Sequence, residues 1–150
     1  MYSRVQLEYN LTSNAIQQRG LVPSLSYNGH IITESAVVSQ FIADAHPSHV
    51  LPPSGPADNA LYRARVSFFV DTFFSKVMPS FNAGVRAASE EEREAAAEAV
   101  VNAVVKEVEP LLENGEGKGP FFGGSEKLTF AEVSSAPLTY LPGRQTSWLG

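Results

Sequence analysis

Along Val5-Gln6-Leu7-Glu8-Tyr9 apolar and polar side chains alternate, the period-two spacing of a half-buried strand, which predicts a short strand there. Two further runs, Pro23-Ser24-Leu25-Ser26-Tyr27 and His30-Ile31-Ile32-Thr33, flank Asn28-Gly29. That pair tolerates the positive φ angles of a type I′ turn, so the spacing predicts a β-hairpin. Val37, Val38, Phe41, Ile42 and Ala45 then recur at helical spacing, with Thr33 or Ser35 placed to cap the first turn, until His46-Pro47 stops the helix.

Between residues 46 and 56 four prolines remove backbone donors and bias their predecessors away from helix, which reads as a linker between two domains, 1–45 and 57–150. Beyond it the period changes to 3.6, and the second half reads as an all-α helical bundle. Pro56 suits a first helical turn, and Asp58 suits the positive end of the helix dipole. Val66, Phe69, Val70, Phe73, Phe74 and Val77 form an aromatic-rich stripe that Met78-Pro79 is expected to end. Ser89 and Glu92 make a capping box ahead of one long apolar face through Ala96, Ala97, Val100, Val101, Val104, Val105, Val108, Leu111 and Leu112. Pro110 should kink or shorten this helix, and Asn114-Gly115 should close it. A second capping box, Thr129-Phe130-Ala131-Glu132, opens the next helix, with Leu128 and Val133 placed as a hydrophobic staple.

With 150 residues, 43% of them hydrophobic, the chain can close one medium core or two small ones. Its formal charge of −5, without a basic cluster, disfavours a nucleic-acid surface or a cationic membrane-surface helix. The absence of cysteine excludes a disulfide framework, a thiolate zinc site and a cysteine nucleophile, so any thiol chemistry must arrive with a ligand. Neither a signal core at the N-terminus nor an apolar run long enough to span a bilayer is visible, which makes the cytosol the default compartment. His46 and His49 lie in the proline-rich stretch without a third ligand nearby and read as solvated, so no metal is expected. Glu90, Glu91 and Glu92 suit a helix N-terminus better than acid–base work, and the loop Gly115-Glu116-Gly117-Lys118-Gly119 lacks the Ser/Thr and preceding strand of a phosphate-binding motif.

Four motifs in order carry a family likeness: Leu21-Val22-Pro23-Ser24-Leu25, Ile32-Thr33-Glu34-Ser35, Gly119-Pro120-Phe121-Phe122-Gly123-Gly124 and Leu128-Thr129-Phe130-Ala131-Glu132-Val133. Over roughly residues 5–137 the chain resembles glutathione transferases, nearest the omega-like branch found in fungi. The resemblance implies an α/β N-terminal part, an incomplete thioredoxin-like sheet, followed by the helical bundle. It also implies glutathione as the bound substrate, a small electrophile as its co-substrate, room for a homodimer, and conjugation or thiol transfer in detoxification or secondary metabolism. By that likeness Val22 and the cis Pro23 present main chain to the cysteinyl part of glutathione. Tyr62, Arg65 and Phe69 share one helical face, which by that likeness borders the electrophile; packing against the hairpin domain or a dimer partner is the other use open to that face.

Glu34 and Ser35 can be argued without the family. A γ-glutamyl end carries an ammonium beside a carboxylate, and its pocket needs one anion next to a cluster of donors. Glu34 supplies the anion; the Ser35 hydroxyl, its N–H and the positive end of the following helix supply the donors. The resemblance also implies departures. The residue that lowers the glutathione thiol pKa belongs to a strand–helix junction upstream of the second strand, which Met1 to Tyr9 match best, and Tyr2 and Ser3 are the right types in the wrong place. Leu21 stands where omega members usually carry lysine, with Gln17, Gln18 or Arg19 as substitutes. These departures leave a non-catalytic binding or scaffold module, or an inactive truncated paralogue, as the alternative to an enzyme.

Overall fold

The structure is a computed structural model and describes residues 23–112 and 118–139. The strand expected at Val5 to Tyr9 and the closing Asn114-Gly115 lie outside the described residues. The chain divides into two compact units, with the boundary between Ser48 and His49.

In the first unit β1 (Ser24–Tyr27) pairs antiparallel with β2 (His30–Thr33), Ser24 opposite Thr33 and Tyr27 opposite His30. Asn28 at φ 49° and Gly29 at φ 81° both take the left-handed conformation that a two-residue hairpin turn demands. Helix α1 (Ser35–Ala45) packs on this hairpin, burying Val38 and Leu25 and setting the Phe41 ring edge-on to Tyr27 at 5.0 Å. It ends at His46, as the following proline requires. Its start differs from expectation, because neither Thr33 nor Ser35 caps it. The cap position is Glu34, at φ 73°, and no side chain bonds the first turn.

The second unit is helical apart from its loops. Helix α2 (Ala57–Thr72) begins after Pro56, which sits extended at the cap position rather than inside the first turn. Met78-Pro79 does not stop the chain from coiling. A π turn over Phe73–Val77, in which the Met78 N–H bonds the Phe73 carbonyl, leads straight into α3 (Met78–Arg86), with Pro79 in its first turn, where a missing N–H costs little. Helix α4 (Glu90–Ala103) carries the predicted capping box: the Glu92 N–H donates to Ser89 Oγ, and the Glu92 carboxylate accepts from the Ser89 N–H. It runs through a second π turn, Val104–Val108, into the short α5 (Glu109–Leu112), so Pro110 is accommodated as Pro79 is. In both places the π turn ends two residues before the proline, and the two turns pack against each other.

Each π turn inserts one residue and rotates the helix beyond it by about 100°. The single apolar face expected along α4 is not buried as one stripe: Ala96 and Val108 are buried, whereas Val101, Val105 and Leu112 are exposed. The core is formed by Val66, Phe69, Phe73 and Val77 with Phe122, Phe130 and Ala131. Helix α6 (Phe130–Thr139) packs on α2, and Leu51 of the proline-rich stretch is buried as well. Three bonds fix residues 50–53 to this unit. The Arg63 guanidinium donates to the Pro52 carbonyl at 2.9 Å, Asn59 donates to that of Pro53 at 3.0 Å, and the Phe130 N–H donates to that of Val50 at 2.9 Å.

Candidate functional site

Residues with chemistry to offer fall in two places, one in each unit. In the first, the backbone at Glu34 adopts φ 73°, ψ 125°, a region that residues with a Cβ avoid at a cost of about 1–3 kcal/mol. The consequence is local: the hairpin's second strand turns directly into α1, so that Ser35 becomes the first helical residue with an unbonded N–H pointing out of the helix end. Glu34 and Ser35 are both exposed, and the Glu34 side chain is not used as a cap. A carboxylate-bearing and a hydroxyl-bearing residue thus occupy consecutive positions at the positive end of an eleven-residue helix. Pro23 is half-buried just ahead of β1, while Val22, Tyr2, Ser3, Leu21 and the stretch Gln17-Gln18-Arg19 lie outside the described residues.

In the second unit the loop before α6 is folded onto the cap of that helix. Thr129 Oγ accepts the Ala131 N–H at 3.2 Å, and one Glu132 oxygen accepts both the Thr129 N–H, at 2.9 Å, and its hydroxyl, at 2.7 Å. The box is therefore reciprocal, as the Thr-x-x-Glu spacing predicts, but the hydroxyl serves the second helical N–H and not the third. Leu128 and Val133, the expected staple, remain 42% and 40% exposed. Gly123, at φ 69°, lies where a Cβ would come 3.2 Å from the Tyr62 ring.

These contacts place the three residues predicted to border an electrophile. Phe69 is buried, its ring 5.0 Å from that of Phe122. Tyr62 meets Phe122 edge-on at 6.4 Å and shares a hydrogen bond with the Thr129 side chain. Burial pushes its phenol above the ordinary value; the Thr129 bond pulls it back, Glu132's charge adds to the rise and Arg65 opposes it. Arg65 lines a cleft of about 370 Å³ with Phe68, Leu111 and Phe122, and Phe69 lines another of about 390 Å³ with Phe122 and Glu132. Phe68, 59% exposed, was missed by sequence reasoning; its spacing from Leu61 and Arg65, seven and three residues, is the signal that marks it as sharing their face.

No family model matches the chain. A protein of Oryza sativa subsp. japonica described as "Probable glutathione S-transferase GSTU1" is 33% identical over 135 residues, covering 86% of this chain and 55% of that protein. Its counterpart in Oryza sativa subsp. indica is 32% identical over the same length. By sequence the chain is related to glutathione transferases. It spans about half the length of these curated relatives. Among solved structures, glutathione transferase Omega 3C from Trametes versicolor is similar with a TM-score of 0.62 and 24% identity, over 83% of this chain and 52% of that one. This likeness shows the fold, so the expected α/β N-terminal part followed by an all-α bundle is the glutathione transferase arrangement. Among the described residues no helix is long and apolar enough to cross a membrane, and no group of three or more His, Asp or Glu side chains could hold a metal ion.

Proposed function

We propose that the chain binds glutathione through Glu34 and Ser35, with Val22-Pro23 presenting main chain to its cysteinyl part, and that it serves conjugation to an electrophile or thiol transfer. The observation that carries this reading is the Glu34 backbone. A non-glycine residue held at φ 73° ahead of an uncapped helix end puts a carboxylate and a set of orphan N–H donors side by side, and structures retain such strain mainly where function over-determines it. In the γ-glutamyl end of glutathione, the ammonium pairs with Glu34, while the carboxylate takes the Ser35 hydroxyl and N–H. The family adds the rest: its curated relatives are described as glutathione transferases. Arg65, with Tyr62 and Phe69 behind it, stands for the co-substrate half of the reading. A homodimer and a cytoplasmic setting fit the family and belong to the same proposal.

The test is retention on immobilised glutathione. The unaltered chain is retained and eluted by free glutathione, and Glu34→Ala and Ser35→Ala each lose retention while keeping the same melting temperature within a degree or two, roughly the effect of a surface change. A chain that flows through overturns the reading. Turnover of a chlorodinitrobenzene with glutathione distinguishes a transferase from a binding module, which would be retained without turnover.

A further inference from the structure

We infer that the groove along α3 and α4 is a docking site for a basic amphipathic helix of another protein. Ala87-Ala88-Ser89 joins the two helices into a hairpin. They approach closely at Gly84, where a Cβ would come 3.3 Å from that of Ala96. Beside this contact lies a groove of about 790 Å³, walled by Phe81 and Val85 of α3 and by Ala97, Val100 and Val101 of α4. Val85 is 61% exposed and Val101 59%, so both offer apolar surface that gains by being covered.

Shape selects the kind of occupant. The lining stretch of α4 runs from Glu90 to Val101, about 16 Å at the rise of an α-helix, or three turns of an incoming helix. Gly84, Ala96 and Ala97 keep the floor low, so a third helix can lay one apolar stripe between the two ridges. An extended peptide would need an open sheet edge, which a pair of helices does not provide. Charge selects the occupant's sign. Between Met78 and Ala103 the hairpin carries five glutamates against two arginines. Arg93 is held by Glu90 at 2.6 Å and the Glu92 carboxylate is committed to the cap, whereas Glu94, on the rim of the groove, has no partner among the described residues. A second copy of this chain would bring the same excess of glutamates to the contact, and an anionic bilayer would be repelled by it. Lysines or arginines flanking an apolar stripe complement the rim and the floor together.

Fluorescence anisotropy of the full chain with three labelled peptides of about eighteen residues, long enough to hold a helix, tests this. One has leucines at i, i+3, i+4 and i+7 flanked by lysines; the second has the same stripe flanked by glutamates; the third has the composition of the first, scrambled so that no stripe forms. The first is expected to bind about tenfold more tightly than either of the others. Val85→Ser combined with Val101→Ser alters exposed side chains and should leave the melting temperature nearly unchanged, yet weaken the first peptide about tenfold. Glu94→Gln should weaken it about threefold and flatten its dependence on salt. A scrambled peptide that binds as well as the first, a preference for the glutamate peptide, or full binding to a folded double-serine variant overturns the inference. A chain that sediments as a dimer and becomes a monomer in the double-serine variant overturns it in favour of a second copy on the groove.

Discussion

One oxygen of Glu132 accepts the backbone N–H of Phe122 at 2.8 Å, ten residues back along the chain, while the other completes the cap of the helix Glu132 itself belongs to. A single side chain therefore locks the loop bearing Phe122 to α6, and through Phe122 it fixes one wall of the Arg65 cleft. Glu132→Ala removes a capping contact and leaves the Phe122 N–H and the Thr129 hydroxyl short of a partner. The expected loss is about 2–3 kcal/mol of unfolding free energy. Glu132→Gln keeps one acceptor oxygen and should lose less. Chemical denaturation of both variants checks the order; an alanine variant as stable as the parent would show that the loop is held by its apolar contacts alone.

The same loop is closed on itself with no space to spare. A Cβ on Gly119 would lie 2.0 Å from the Ser125 carbonyl oxygen, because the Gly119 N–H bonds the Gly124 carbonyl and the Phe121 N–H bonds that of Ser125. The obstacle is backbone and cannot rotate away. Gly119→Ala should cost about 2–3 kcal/mol, at the upper end of overpacking effects. Gly55→Ala, where nothing lies within 4 Å, serves as the control and should be neutral to within about 0.5 kcal/mol. Melting temperatures of the pair decide it: equal shifts would refute the steric account.

Tyr62 gives the helical unit an alkaline signature. Burial raises its folded-state value above the ordinary one of about 10, so the native state holds the phenolic proton more tightly than the unfolded chain does. That contribution is fully present below the ordinary value and is lost as pH rises through the raised one. As pH rises from the ordinary value through the raised one, the parent should lose stability more steeply than Tyr62→Phe, which cannot ionise. Parallel urea-unfolding curves across this range would contradict the assignment.

How far the sequence spoke for the structure depended on whether the controlling signal was local. Asn28-Gly29, Ser89 with Glu92 and Thr129 with Glu132 each carry their instruction within four residues; the first two form as read, and the third forms with its hydroxyl on the second helical N–H. Pro79 reads as a stop and Pro110 as a kink or a shortening because their local effect is real, yet packing of Phe73, Val77 and Val108 in the core favours keeping the chain coiled, and a π turn reconciles the two. The clamp from Asn59 and Arg63 to the carbonyls of Pro53 and Pro52 had no signal to find, since a backbone acceptor leaves no mark in sequence. At the site, Glu34 and Ser35 were legible as residue types. The strained backbone was not, because a glutamate says nothing of a positive φ.

That strain separates stability from function at one position. Glycine has no Cβ and adopts φ 73° freely, so Glu34→Gly relieves the native backbone while loosening the unfolded chain, two effects of similar size and opposite sign. The net change in stability should lie within about 1 kcal/mol of zero. The carboxylate is nonetheless gone, and glutathione retention should be lost as fully as in Glu34→Ala, although the backbone turn into α1 is retained. Conversely, Glu34→Gln keeps size and strain but removes the charge, and should weaken retention about tenfold, in line with one charge-assisted contact. If the glycine variant still binds the tripeptide as the parent does, the strained residue serves only the chain reversal into α1, and the ammonium partner lies elsewhere.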